Sequence, residues 1–278
     1  MSSTTPIQSP VSGSPNWKLT LAYDGTDFSG WQIQPGCRTI QGELQAALGR
    51  VTGEVPLPQG SGRTDAGVHA LAQVASFALA TPIPPQNLAR ALNRTLPAAI
   101  RVLDARQVPE SFHARHSAVA KTYEYRILPA AAYTCPPFLA RFVYASTRAL
   151  DRAALDAAAA QLVGEHDFLS FAASDADLTA REDGGDAGAR STVRTIFSSS
   201  WEERPSEAGT LLVYRVRGNG FLHHMVRNLV GTMIDAGRGF LPASSIAEIL
   251  AARSRSAAGP TAPARGLFLH SVEYGEEG

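Results

Sequence analysis

The stretch VAKTYEYRIL (residues 119–128) alternates with the period of a β-strand, setting Lys121, Tyr123, Tyr125 and Ile127 on one face. It decides the fold because a second round of the same pattern opens here. After it come a helix, LDRAALDAAAAQLV (150–163), strands at 192–201 and 210–217, and a helix from about 220 to 236. A shorter helix at 243–252 and a strand at 267–274 complete the round. Before it runs the first round: a strand, WKLTLAYDG (17–25), that ends in a D-G turn, then TIQGELQAALGRV (39–51), a helix capped by Thr39. An apolar strand after residue 70, a helix at about 85–95 opened by Pro84 and Pro85, and a strand at 100–106 follow. Two such rounds predict an α+β protein of two ferredoxin-like (RRM-like) halves with antiparallel sheets, residues 17–110 and 111–278. Residues 1–16, rich in Ser, Pro and Thr, read as a disordered tail.

With 278 residues, 44% of them hydrophobic, the chain can bury one large core or two modest ones. No apolar run approaches the about 18 residues of a membrane span. The N-terminus has neither a basic start nor an apolar core, so no secretion signal is expected. Two cysteines, Cys37 and Cys135, give no disulfide or zinc framework and are expected as buried, reduced thiols in a cytoplasmic protein.

The formal net charge is zero, 25 basic against 25 acidic residues, which taken alone argues against nucleic acid. The distribution argues for it. Residues 90–126 hold seven basic and three acidic side chains, and residues 214–255 hold six and two. The stretch 175–207 offsets them with eight acidic and four basic residues, and within it 175–189 is expected to be a mobile acidic loop. Local patches, not totals, make a binding field. Of the 25 cations 23 are arginine, which suits bidentate phosphate contacts, although GC-rich coding would produce the same bias.

The candidate chemistry starts at GSGRTDAGVHA (60–70), a loop entering a strand. It is no dinucleotide fingerprint, because Asp65 stands where the third glycine belongs, and no P-loop, because no Gly-Lys-Ser/Thr follows. Asp65 beside Arg63 reads as an ionised base or nucleophile, or as an Asx-turn residue that only ties loop amides. In RGNGFLHHMVRNLVGTMI (217–234) the apolar residues form a broad helical stripe that leaves His223, Arg227 and Gly231 off it. Arg227 either reaches water or meets a carboxylate. At about 4 Å such a pair gains about 4 kcal/mol at an effective dielectric of about 20, enough to keep Asp65 ionised. His113, His116, His223 and His224 fall in no metal-ligand spacing, so no metal is expected; they read as RNA contacts or satisfied imidazoles. Tyr123 and Tyr125, beneath a basic stretch, read as stacking platforms for unpaired bases or as core tyrosines.

The motifs GRTDAGVHA (62–70), YDGTDFSGWQ (23–32), SFHARHSAVAKTYEY (111–125), GFLHHMVRNLVG (220–231) and TAPARGL (261–267) occur in the order of the tRNA pseudouridine synthase A family, which the chain resembles over about residues 17–275. That resemblance implies a cofactor-free isomerase that turns uridine into pseudouridine at positions 38, 39 and 40 of the tRNA anticodon arm. It also implies a two-lobed homodimer with a central basic cleft. Asp65 matches the catalytic aspartate, Arg63 its neighbour, Tyr123 the tyrosine stacked on the target base, Arg227 the arginine paired with the aspartate, and Leu267 an apolar pocket wall. Arg115 and His223 are expected to touch the substrate. Whether Asp65 attacks C1′ or removes a ribose proton stays open. Glu124, between the two tyrosines, departs from what RNA binding favours. The alternatives are a non-catalytic RNA-binding protein of the same fold, which has no need of Asp65, and a nucleosidase, which ordinarily needs two working carboxylates.

Overall fold

A computed structural model describes residues 14–130, 133–173 and 191–275. Most of the expected tail and the whole acidic loop 175–189 lie outside the described residues. The chain divides into two compact units: Met1–Val119 with Phe268–Gly278, and Ala120–Leu267. This division falls later than the 110/111 boundary read from the sequence, and it returns the last strand to the first unit.

In the first unit, β1 (Asn16–Tyr23) lies between β4 (Ile100–Val108) and β3 (His69–Ala78), antiparallel to both. Trp17, Leu19, Leu21 and Tyr23, every second residue of β1, are buried on one face. Helices α1 (Ile40–Thr52) and α2 (Pro85–Thr95) supply apolar residues through Ile40, Leu44, Leu48, Leu88 and Leu92. The Thr39 side chain accepts from the Gly42 N–H to open α1, and Gly53, at φ 79°, closes it in the left-handed region. Proline opens α2 as expected. The short β2 (Gln59–Gly60) pairs with β3.

β10 (Leu267–Tyr274) pairs with β3 in parallel, at Phe268↔His69 and Leu269↔Ala70. The sheets are therefore mostly antiparallel, not wholly so as the sequence reading had it. Segment 109–117 covers the opposite face of this sheet. Phe112 and Ala114 pack on Val74, Val272 and Tyr274, and Lys18 Nζ lies 4.1 Å from the Tyr274 ring centroid. Hydrogen bonds from Asn16 Nδ2 to Phe112 O (2.7 Å) and from Tyr274 OH to Ala114 O (2.8 Å) hold the segment down.

In the second unit, β5 (Ala118–Leu128), β9 (Gly209–Gly218), β8 (Val193–Ser206) and β7 (Gly164–Asp167) follow one another in antiparallel order; β6 (Tyr144–Ala145) adds to β5 in parallel. The short helix α3 (Pro137–Ala140) precedes β6, and α4 (Arg152–Ala160) is shorter at both ends than its sequence pattern. Tyr125, Tyr214 and Trp201 form a buried aromatic ladder across β5, β9 and β8. α5 (Met225–Gly237) packs with α4, and α6 (Ile246–Ala252) follows.

α5 begins at Met225, not near 220, because His224 adopts φ 60° and breaks the helical path. The cysteines also differ from expectation. Cys37 is exposed, at the end of a turn that donates its N–H to Gln34 O, and Cys135 is only half-buried.

Glu124 does not share a face with the tyrosines. The strand alternation turns it to the opposite side, where it is 1% exposed. Arg215 stands directly across on β9, and its Nη2 lies 3.0 Å from Glu124 Oε2; Arg204 reaches the same oxygen at 3.0 Å and Arg126 reaches Oε1 at 2.7 Å. Burial opposes the charge, but the hydrogen bonds from Arg204 and Arg126 outweigh it and hold the carboxyl down to about 2. A depressed carboxyl stabilises the fold fully above its unfolded value of about 4.3 and loses that contribution as pH falls toward 2. Glu124→Gln is expected to cost a few kcal/mol at pH 7. The loss should stay at or below the about 3–5 kcal/mol of a fully buried pair, since the arginines reach solvent. Urea unfolding of both proteins should show their difference shrinking below about pH 4.

Candidate functional site

In the first unit the loop between β2 and β3 carries Arg63 and Asp65, both half-buried. Its backbone is fixed from three sides. Tyr23 OH and Thr64 Oγ1 lie 2.8 Å apart, and Ser61 Oγ donates to Gln73 Oε1 at 2.6 Å. Gln73 Nε2 in turn donates to Gly62 O at 3.0 Å, and Trp31 N donates to Thr64 O at 3.0 Å. Burial pushes the Tyr23 phenol up to about 12, with its bonds to Thr64 and Gln73 pulling the other way, so it stays neutral at physiological pH. The hydroxyls of Ser61 and Thr64 are thus engaged by β1 and β3, and they fix the loop through the scaffold.

A Cβ on Gly60 would lie 2.6 Å from the Trp31 ring, so that glycine admits an indole. The close approach that backs Asp65 comes from Gly30, at φ 87°, where a Cβ would lie 2.6 Å from Thr64 O and 3.1 Å from the Asp65 carbonyl carbon. Gly25 approaches Val68 O still more closely. The end of the loop is held by Val68 N, which donates to Asp65 O at 3.1 Å, and Gly25 N, which donates to His69 Nδ1 at 3.1 Å. His69 is fully buried and stacks on Phe268 with 4.7 Å between ring centroids. Arg115 is exposed on segment 109–117 of the same unit, where the Arg115 and His116 N–H groups both donate to His113 Nδ1. Burial lowers the His113 pKa, and His116 and Arg115 lower it further, which favours the neutral acceptor these bonds require.

The second unit carries Tyr123, His223, Arg227 and Leu267. Tyr125 is completely buried and is a core tyrosine, whereas Tyr123, 9% exposed, packs edge-on against Phe221 at 5.0 Å and 78°. Phe221 and His223 sit in the turn that precedes α5, and His223 O accepts from Ala173 N at 3.0 Å. Arg227 is half-buried, and its Nε donates to Ala262 O at 2.8 Å while Ala262 N donates to Arg227 O at 3.0 Å. Four residues on, a Cβ on Gly231 would lie 1.6 Å from Pro260 O. The flank of α5 that carries Arg227 and Gly231 is therefore a packing surface for residues 260–262.

Asn228, which the sequence did not single out, extends this join. It is fully buried, donates to Phe171 O (2.8 Å) and accepts from Thr261 Oγ1 (2.6 Å) and Arg255 Nη2 (3.1 Å). The anchored segment leads to Gly266, where a Cβ would meet the Tyr125 ring at 2.7 Å, and then to Leu267, 5% exposed. Tyr125 OH donates to Pro263 O at 2.8 Å. Burial raises the Tyr125 pKa, and Arg227 pulls it back. Gln73 and Asn228 escaped the sequence reading because single polar residues within apolar elements carry no periodic signal. Gly30, by contrast, lies inside the quoted YDGTDFSGWQ motif.

The sequence pattern described as tRNA pseudouridine synthase matches residues 20–117 and 158–275. Among curated relatives, the tRNA pseudouridine synthase A of Solibacter usitatus is 52% identical over 257 residues, 92% of this chain and 98% of that protein. The tRNA pseudouridine synthase A of Moorella thermoacetica is 45% identical over 262 residues, 94% of this chain and 100% of that protein. That of Lacticaseibacillus casei is 41% identical over 260 residues, 93% of this chain and 99% of that protein.

Gly30→Ala tests the mounting of the Asp65 loop. The left-handed backbone and the blocked Cβ site together predict a loss above the about 1–2 kcal/mol of an ordinary left-handed L-residue. Denaturant unfolding should show it as a lowered midpoint at unchanged slope.

Proposed function

Because the chain belongs to the tRNA pseudouridine synthase family, we propose that it isomerises uridine to pseudouridine in the anticodon arm of tRNA, at positions 38, 39 and 40. The reaction breaks the N1–C1′ glycosidic bond, turns the uracil, and joins C5 to C1′. The C5 hydrogen leaves to water and N1 gains one, so the change needs no redox partner and no energy source. Asp65 supplies the carboxylate that starts it, by adding to C1′ or by taking a ribose proton. Arg227 is its ionic partner and Arg63 its neighbour in the loop. Tyr123 stacks on the target base, Leu267 walls the pocket against escape of the detached uracil, and Arg115 and His223 contact the RNA. The target base must leave its stack at a cost of a few kcal/mol, and phosphate contacts from the arginine-rich stretches offset that cost.

The observation that carries this reading is the mounting of GRTDAG. One half-buried carboxylate sits on a loop tied to β1 and β3 by Tyr23, Thr64, Ser61 and Gln73, in a chain whose relatives bear the name of this activity. In the same reading each half is ferredoxin-like, the arginine-rich stretches line a central basic cleft, and the protein works without a cofactor as a homodimer in the cytoplasm. Among the described residues no helix is long and apolar enough to cross a membrane.

The test is tritium release from tRNA transcripts labelled at uridine C5, since joining C5 to C1′ expels that hydrogen. Asp65→Asn should lower release by at least about a thousand-fold, in the range seen when a catalytic carboxylate is removed, with tRNA affinity kept within a few-fold. Equal release by wild type and Asp65→Asn would refute the catalytic role.

A further inference from the structure

A cavity of ≈ 450 Å³ opens in the second unit, and its lining includes Cys135, Val143, Tyr144, Thr147 and Arg265. That volume suits a nucleotide-sized ligand. Arg265 belongs to the turn Ala264–Gly266, one residue before the glycine that abuts Tyr125 and two before Leu267. The cavity, lined mainly by residues 135–147, therefore borders through Arg265 the segment that ends in the proposed pocket wall. Its lining fits an anion with a flat, apolar body attached.

The exposed Arg265 guanidinium lies 5.9 Å from the Tyr144 ring centroid. Tyr144 OH accepts from Arg238 Nη2 at 3.2 Å, which leaves its own hydrogen to donate. Thr147 adds a second hydroxyl, Val143 gives an apolar wall, and among the described residues the lining holds no carboxylate. The segment that carries Cys135 also holds Tyr133, 96% exposed, and Phe138, 92% exposed. Two aromatic rings left bare on a segment that also carries the exposed Arg141 and Arg148 form the combination that stacks on unpaired bases and tracks a phosphate backbone.

We propose that this cavity seats a nucleotide of the RNA strand adjacent to the target uridine, with Arg265 and Tyr144 holding its phosphate. The inference rests on the isomerase reading for the identity of the strand. Arg265 is a positioning residue: it fixes the register in which the strand lies along the second unit, beside the proposed base pocket of Tyr123 and Leu267.

The experiment compares wild type, Arg265→Ala and Arg265→Lys with tRNA transcripts carrying tritium at uridine C5. It measures equilibrium tRNA binding over a range of salt together with the kinetics of release. Arg265→Ala should weaken binding about ten-fold and flatten the slope of log K against log salt by about 0.9, the signature of one lost phosphate contact. The loss should fall mainly on KM, and Arg265→Lys should restore the salt slope but only part of the affinity, since it returns the charge without the planar fork. A purely structural role for Arg265 would shift the unfolding midpoint and leave the salt slope alone. An Arg265→Ala protein with wild-type affinity and salt slope overturns the subsite whether or not tritium is released. Absence of release by wild type would overturn the isomerase reading instead, and the salt slopes would still decide the subsite.

Discussion

Gly231 has no room for a side chain. The backbone of segment 259–262 lies so close to α5 that the Pro260 carbonyl occupies the space of a Cβ. What a side chain would have contributed is replaced by hydrogen bonds on both sides of the contact. Arg227 and Ala262 exchange a reciprocal pair, Thr232 Oγ1 accepts from Gly259 N, and Asn228 accepts from Thr261. Asn228, Thr232 and Ala262 are buried and their partners half-buried, so each bond matters through the desolvation penalty that its absence would leave on the buried side. The segment so anchored delivers Gly266 to the Tyr125 ring and Leu267 to the start of β10. In the second unit the position of Leu267 follows from this join.

The first unit solves a similar problem with the same means. A loop proposed to carry a reactive carboxylate must be rigid although it has little apolar surface of its own. Gly25 and Gly30 let the chain of residues 24–31 lie directly against Val68 and Thr64, and Tyr23 and Gln73 reach in from the neighbouring strands. Rigid strands thus transfer their order to a loop through buried side-chain hydrogen bonds, the support that catalytic positioning requires.

Charge follows face, not sequence neighbourhood. Glu124 is flanked in sequence by two aromatic residues, yet the two-residue period sends it to the opposite side, where Arg126, Arg204 and Arg215 neutralise it. Most elements were legible because their signals are local. Thr39 before an apolar period, Pro85 at a helix start and the alternation of β1 and β5 each rest on neighbouring residues alone. The parallel pairing of β10 with β3 was not legible, because it joins residues about two hundred positions apart. The start of α5 was misread because His224 takes a left-handed conformation that only the surrounding structure imposes. Of the candidate site, Asp65, Tyr123 and Arg227 stood out by residue chemistry and strand or helix period, each with a plain structural alternative, and the family motifs chose between the readings. The residues that hold them in place, Gln73, Asn228 and Gly30 among them, act through contacts that spacing does not encode.

The central claim is that this chain makes pseudouridine at defined positions of the anticodon arm. The most direct measurement is to incubate the purified protein with unmodified tRNA transcripts and map pseudouridine at nucleotide resolution by carbodiimide labelling and primer extension. The account predicts reverse-transcription stops confined to uridines at positions 38, 39 and 40. Transcripts that remain unmodified there, or that carry pseudouridine only outside the anticodon arm, would contradict it.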